Sequence, residues 1–176
     1  MPASNLTCPL PANFNPLSPN GFNFSITKIP EITFYCQEVN LPGITLASID
    51  ILSPLTLNPF AGDLISYDEL TVQFLVDAEM INYQAVYNWL TGLGFPNGYE
   101  QYINFTNSQN APTKGTVDYS DGTLQILNSN NQPAKTIHFI DLIPVSLSSM
   151  TFTSTATDVN YIVGVASFKF DRYNFV

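Results

Sequence analysis

Leu70, Val72, Phe74 and Val76 fall at every second position of residues 69–76. A period of two puts one set of side chains on one face of an extended strand. It does not fit a helix, whose faces recur every 3.6 residues. The same period runs through much of the chain. Residues 21–28 set Phe22, Phe24 and Ile26 against Asn23, Ser25 and Thr27, and residues 32–39 continue with Ile32, Phe34 and Cys36. Ile29-Pro30-Glu31 between them is a turn signal, so the two segments are expected to pair as a hairpin that Leu41-Pro42-Gly43 terminates. In this reading Cys36 faces the core.

Further along, residues 44–57 read as extended chain interrupted at Pro54, 58–62 as a loop and 63–65 as a short strand. Residues 99–115 read as loop-like. Strands are expected at 116–119, 122–127, 135–142, 145–151 and 161–173, separated by a polar turn at 128–133 and a Thr-rich loop at 153–160. In the last strand Phe168 and Phe170 alternate against Lys169, Asp171 and Tyr173. One segment, 78–93, has helical spacing, with Val86, Leu90 and Leu93 on a stripe and Trp89 beside it. Asp77 is its expected N-cap, Gly92 or Gly94 can close it, and Pro96 forbids its continuation. The expected class is mainly β (α+β): an antiparallel β-barrel or sandwich with one flanking α-helix.

A chain of 176 residues suits one domain. Residues 1–20 carry Pro2, Pro9, Pro11, Pro16 and Pro19, which exclude a helix or a central strand. The expected organisation is an extended N-terminal arm over 1–20, with Leu6, Leu10, Phe14 and Leu17 as apolar anchors, and a single β domain over 21–176.

Charge narrows the function classes. Only 11% of residues are charged while 45% are hydrophobic. A free-standing soluble protein has a more charged surface, so low charge points to a surface covered by partners. The net charge is −9, and Lys28, Lys114, Lys135, Lys169 and Arg172 form no run. Specific nucleic-acid binding needs clustered cations and is disfavoured; an acidic wall would instead let DNA slide past. No stretch reads as a secretory signal or a membrane span, and Cys8 and Cys36 are expected as reduced thiols.

Catalysis needs convergent acids, bases or nucleophiles. The single histidine, His138, lies in a strand, and no Gly-x-Ser-x-Gly elbow is present. Two distant cysteines and one histidine cannot build a zinc cage. Asp118-Tyr119-Ser120-Asp121-Gly122 lacks the later carboxylates of a calcium loop and reads as a turn. Asp77 and Glu79 read as negative charge at the start of the helix. The expectation is therefore no enzyme, no catalytic, cofactor-binding or metal-ligating residues, and no cofactor. Tyr83, Tyr87 and Trp89 are candidates for contact with a neighbour, with ordinary core packing the simpler reading of Trp89.

The order of segments carries more. It runs from a proline-rich arm through Leu41-Pro42-Gly43, a long loop, Gly62-Asp63 and Tyr67-Asp68-Glu69-Leu70-Thr71-Val72-Gln73-Phe74 to the helix Asn82-Tyr83-Gln84-Ala85-Val86-Tyr87-Asn88-Trp89-Leu90. It closes on Pro144-Val145-Ser146-Leu147-Ser148 and Ala166-Ser167-Phe168-Lys169-Phe170-Asp171-Arg172-Tyr173. Over residues 20–176 this resembles the tail-tube family of contractile-tailed bacteriophages, especially the tube-like virion proteins of myoviruses.

The resemblance implies a structural virion protein forming a ring, hexameric in that family, through which phage DNA passes without specific binding. It serves as main tube, initiator or terminator. The implied partners are further copies of the chain and adjacent tube, sheath, baseplate or neck proteins, with no membrane. The implied location is the virion tail, after assembly in the host cytoplasm. The long loop over 44–62 is the element expected to lie on the next ring, and the proline-rich arm departs from the plain tube pattern. The alternative is a monomeric β-sandwich module for carbohydrate or adhesion, supported by the wealth of Asn, Ser, Thr and aromatic residues.

Overall fold

A computed structural model describes residues 17–52, 54–108, 118–155 and 161–176. The expected arm therefore lies, up to residue 16, outside the described residues, as does Cys8. In chain order the elements are β1 (Phe22–Ile26), α1 (Glu31–Tyr35), β2 (Cys36–Val39), β3 (Ile44–Leu52), β4 (Leu57–Tyr67) and β5 (Leu70–Leu75). There follow α2 (Ile81–Gly94), α3 (Glu100–Ser108), β6 (Ser120–Leu127), β7 (Pro133–Leu147), β8 (Val163–Lys169) and β9 (Arg172–Phe175).

Seven strands form one antiparallel sheet in the order β1-β6-β7-β8-β5-β2, with β9 also on β7; β3 and β4 form a separate two-stranded ladder. The larger sheet is mainly β as expected, but its edges β1 and β2 do not pair, so it is not closed into a barrel. It folds over at β7. That strand pairs with β6 and β9 through Ile137 and Phe139, then with β8 from Ile143 onward. The change of partner coincides with Asp141 in the left-handed region (φ 58°) and a register shift between Pro144 and Ser146. Pro144 lacks an N–H for a ladder, which suits this irregular stretch.

The fold-over brings two inner faces together. Phe24, Ile26, Leu124, Ile137 and Phe139 from one half meet Leu70, Val72, Phe74, Ala166 and Phe168 from the other in a single buried cluster. Phe24, Ile26, Leu70, Val72, Phe74, Ile137, Phe139 and Phe168 follow the period of two read from the sequence. Helix α2 closes the cluster with Val86 and Trp89, whose indole tilts against Phe168 at 6.2 Å between ring centroids. Trp89, 2% exposed, is the centre of the helix's buried stripe, while Leu90 and Leu93 sit at its margin.

Several expectations are corrected. Residues 32–39 are not one strand hairpinned with residues 21–28. Pro30, at φ −64°, leads into the short helix α1, leaving Ile32 buried and Phe34 86% exposed. Strand β1 pairs with β6 and β2 with β5, so the two lie at opposite edges of the sheet. Cys36 is half-buried at the core's margin, and burial pushes its thiol up to about 11. Among the described residues there are three helices rather than one. α3 forms within the segment read as a loop because Phe105 docks on α2 and Thr106 Oγ1 donates to the Tyr102 carbonyl at 2.8 Å.

The start and end of the long helix also differ. α2 begins at Ile81, after Met80 in the left-handed region (φ 56°). Asn82, 1% exposed, organises this end. Its Oδ1 accepts the Asp77 and Tyr83 N–H groups at 3.2 and 2.8 Å, and its Nδ2 donates to the Leu75 carbonyl at 2.7 Å. Asp77 instead accepts the Ala78 N–H at 2.8 Å. The helix ends with Phe95, not a glycine, in the left-handed conformation (φ 32°).

In the C-terminal third, β7 is one strand where two segments were expected, and β6 begins at Ser120, within the expected Ser120-Asp121 turn; residues 116 and 117 of the strand expected before it lie outside the described residues. The final segment breaks at Phe170-Asp171 into β8 and β9. The break turns Tyr173 to the same side as Phe170, with Tyr67 and Phe139 beside them at 5.2–6.0 Å between centroids.

Candidate assembly surfaces

The segment 44–67 departs most from expectation. Residues 58–62 are not a loop, and the extended chain is not merely interrupted at Pro54. β3 and β4 form a continuous antiparallel hairpin, with Ile44 opposite Tyr67 at the base and Leu52 opposite Leu57 at the far end. The ladder slips between Leu46 and Ser48. There the backbones run so close that a Cβ on Gly62 would lie 2.7 Å from the Ala47 carbonyl oxygen, which explains glycine at that position.

This hairpin packs on itself rather than on the body. Its base is held by the Tyr67 ring, 5.4 Å from both Phe170 and Tyr173. Beyond that, its apolar side chains are open to solvent: Ile49 is 63% exposed, Phe60 56%, Leu52 81% and Leu55 94%. Before the slip, Ile44, Leu46, Ile65 and Tyr67 share one face of the ladder; beyond it, Ile49, Ile51 and Phe60 gather on the other. An isolated two-stranded ladder is marginal in water, and exposed apolar area of this extent is a common property of interaction surfaces.

A second apolar surface lies along α2. Tyr83, Tyr87, Leu90 and Gly94 form one wall of an open groove of about 520 Å³, and Val145, Ser146 and Leu147 of β7 form the other. The Tyr83 hydroxyl donates to the Ser148 carbonyl at 2.9 Å, fixing helix to strand at the rim. Neither α2 nor residues 143–147 contain a charged side chain.

The outer face of the β1-β6-β7-β9 half is different. Ser25, Thr123, His138 and Asn174 stand in register across four strands, with Asn23, Gln125 and Thr136 in the next row. These rows are polar and carry no Lys or Arg. His138 Nδ1 lies 3.2 Å from Thr123 Oγ1. Asp77 Oδ1 accepts the Ala78 N–H at 2.8 Å and the Tyr35 hydroxyl at 3.5 Å. Among the described residues, no group of three or more His, Cys, Asp and Glu side chains is arranged to hold a metal ion, and no helix is long and apolar enough to cross a membrane.

One charged side chain is drawn inward. Lys28 Nζ sits 4.8 Å from the Trp89 ring centroid and 4.7 Å from that of Phe105, joining the end of β1 to α2 and α3. Burial lowers its pKa to about 8, with attraction from Asp118 opposing the shift. The Trp89 indole N–H donates to the Asp118 carbonyl at 3.2 Å. This cluster fastens α2 and α3 to the end of β1.

Sequence reasoning named Tyr83, Tyr87 and Trp89 as candidates for contact with a neighbour; Tyr87 is exposed, Tyr83 is partly buried against the core and Trp89 is buried. The same reasoning missed the continuous ladder through residue 67. The signal was present as alternating Ile49, Ile51 and Leu57, but Pro54 and Pro59 obscured it.

Comparisons with known proteins agree with this architecture. The sequence profile of the phage tail tube protein family matches residues 5–176. The tail tube terminator protein of Enterobacteria phage T4 is 27% identical over 167 residues, covering 91% of this chain and 89% of that protein. Among solved structures, the tube terminating cap of the anti-feeding prophage superposes with a TM-score of 0.62 at 15% identity, covering 98% of both chains. A chain from the sheath/tube terminator of the PVC extracellular contractile injection system gives 0.57 at 19% identity, covering 92% of this chain and 96% of the other. At these identities the structural likeness speaks for the fold.

Proposed function

This chain belongs to the phage tail tube protein family, and we propose that it assembles into a closed homohexameric ring that terminates the tail tube. Its role is structural, as a component of the phage tail. The observation that carries the ring is the β3–β4 hairpin, whose apolar side chains the chain's own body leaves uncovered. Cyclic closure covers such a surface with identical copies and leaves no free end. It also pairs or shields the short edges β1 and β2, which otherwise present unpaired backbone groups.

The terminating position is supported by likeness to the T4 tail tube terminator along nearly the whole of both chains. In this reading the ring's neighbours are tube, sheath and neck or baseplate proteins, and assembly takes place in the host cytoplasm before the tail joins the virion. DNA passes through the ring without being held. A net charge of −9 and rows of Ser, Thr, Asn and Gln give phosphates little to grip, and Arg172 in the adjoining row is paired with Asp171. The ring turns over no substrate and needs no cofactor or metal, and residues 21–176 act as one domain behind an extended arm.

Light scattering and negative-stain imaging across a range of concentrations test this. Six-fold rings that bind one end of preformed tubes are expected. A strict monomer that neither self-associates nor joins tubes would sink the reading, and unlimited stacking into tubes would move the chain from terminator to main tube.

A further inference from the structure

The hairpin and the α2 groove are complementary surfaces on one chain. Beyond the slip, one hairpin face carries Ile49, Ile51 and Phe60, with Ile49 opposite Phe60 and Ile51 opposite Asn58. Asp50, opposite Pro59, points to the other face. The apolar face therefore approaches a partner without bringing a carboxylate into the contact. The groove likewise offers only uncharged walls, so nothing ionised has to lose its water on either side.

Their dimensions agree. From Tyr83 to Gly94 the helix wall runs about 16 Å at 1.5 Å per residue, and residues 48–52 of the hairpin span about 13 Å at 3.3 Å per residue. Tyr83, Tyr87, Leu90 and Gly94 lie at spacings that keep them on one side of the helix. A Cβ on Gly94 would meet nothing within 4 Å, so that end of the groove is open to an incoming chain. The chain's own hairpin packs on itself, leaving its own groove free for a hairpin from elsewhere.

We infer that the outer half of the β3–β4 hairpin, through Ile49, Ile51 and Phe60, docks in the α2–β7 groove of a second copy of this chain. The contact is heterologous: each copy gives a hairpin and receives one, which is the connectivity a closed ring requires. This inference rests on the self-assembly reading above and specifies which two surfaces meet.

The test uses two variants of the full chain. Phe60→Glu damages the hairpin alone, and Val145→Asp damages the groove alone; both positions are exposed, so folding is checked simply by circular dichroism and melting temperature. Each variant by itself is expected to be monomeric where the unmodified chain forms rings. Mixed together they are expected to give a one-to-one dimer and nothing larger, because one intact hairpin and one intact groove remain. If Val145→Asp does not fold, Tyr87→Glu interrogates the same groove. Rings formed by a folded groove variant alone would overturn this pairing while leaving ring assembly intact. A monomeric unmodified chain would overturn both.

Discussion

Gly92 of α2 faces Phe105 of α3 so closely that a Cβ on Gly92 would lie 2.7 Å from the Phe105 Cγ. The contact seats α3 on α2 and brings the Phe105 ring over Lys28. Gly92→Ala gains up to about 1 kcal/mol of helix propensity but forces the ring outward, at a cost of about 1–3 kcal/mol. A net loss is expected, read as a melting temperature lower by about 2–4 °C. Gly94→Ala is the control. No atom lies within 4 Å of its Cβ, so it should be neutral or stabilising.

Asn82 is buried and makes three hydrogen bonds between β5, residue 77 and the first turn of α2. Asn82→Ala strands buried backbone groups. The expected loss is about 2–3 kcal/mol, visible as a lower denaturation midpoint with an unchanged slope.

The hairpin should be dispensable for folding and necessary for assembly. Replacing residues 45–66 by a short Gly-Ser linker keeps Ile44 and Tyr67, which already face each other, and retains the Tyr67 contacts with Phe170 and Tyr173. The shortened chain is expected to melt within a few degrees of the full one and to remain monomeric at every concentration. Loss of its cooperative melting transition would show instead that the hairpin supports the core.

Lys28 gives a pH signature. Its pKa falls from the ordinary lysine value of 10.5 to about 8 in the fold, so the folded chain releases this proton first as pH rises. Between about pH 8 and 10.5 the unfolded chain binds more protons, and the contribution of Lys28 to stability increases with pH. Cys36 works in the opposite sense. Its thiol is raised from 9.0 to about 11, so its contribution falls as pH climbs through that interval. The Lys28 effect is isolated by comparison with Lys28→Met. The difference in unfolding free energy between the two proteins should shift toward the lysine form as pH rises from about 8 to 10.5. A constant difference would contradict the burial of the ammonium group.

The strands that proved readable were those with one face in the core. In β1, β5 and β7 the alternation of Phe24 and Ile26, Val72 and Phe74, and Ile137 and Phe139 is a direct image of burial. α1 was misread because Ile32, Phe34 and Cys36 alternate by chance, while Phe34 is in fact 86% exposed. α3 was missed because its support comes from Gly92 and Lys28, distant in sequence. The β3–β4 ladder was broken into pieces because both its faces carry apolar groups and its prolines sit within it.

Local pattern and composition alone determined that the chain is mostly antiparallel strand, that one long helix follows β5, and that few of its residues are charged. These properties depend on each residue and its near neighbours. The tertiary structure decided which strands pair, where β7 folds the sheet over, that the hairpin packs on itself, and that α2 and β7 line an uncharged groove. Those outcomes depend on contacts between residues far apart in sequence, where a period of two specifies a face but not the partner that covers it.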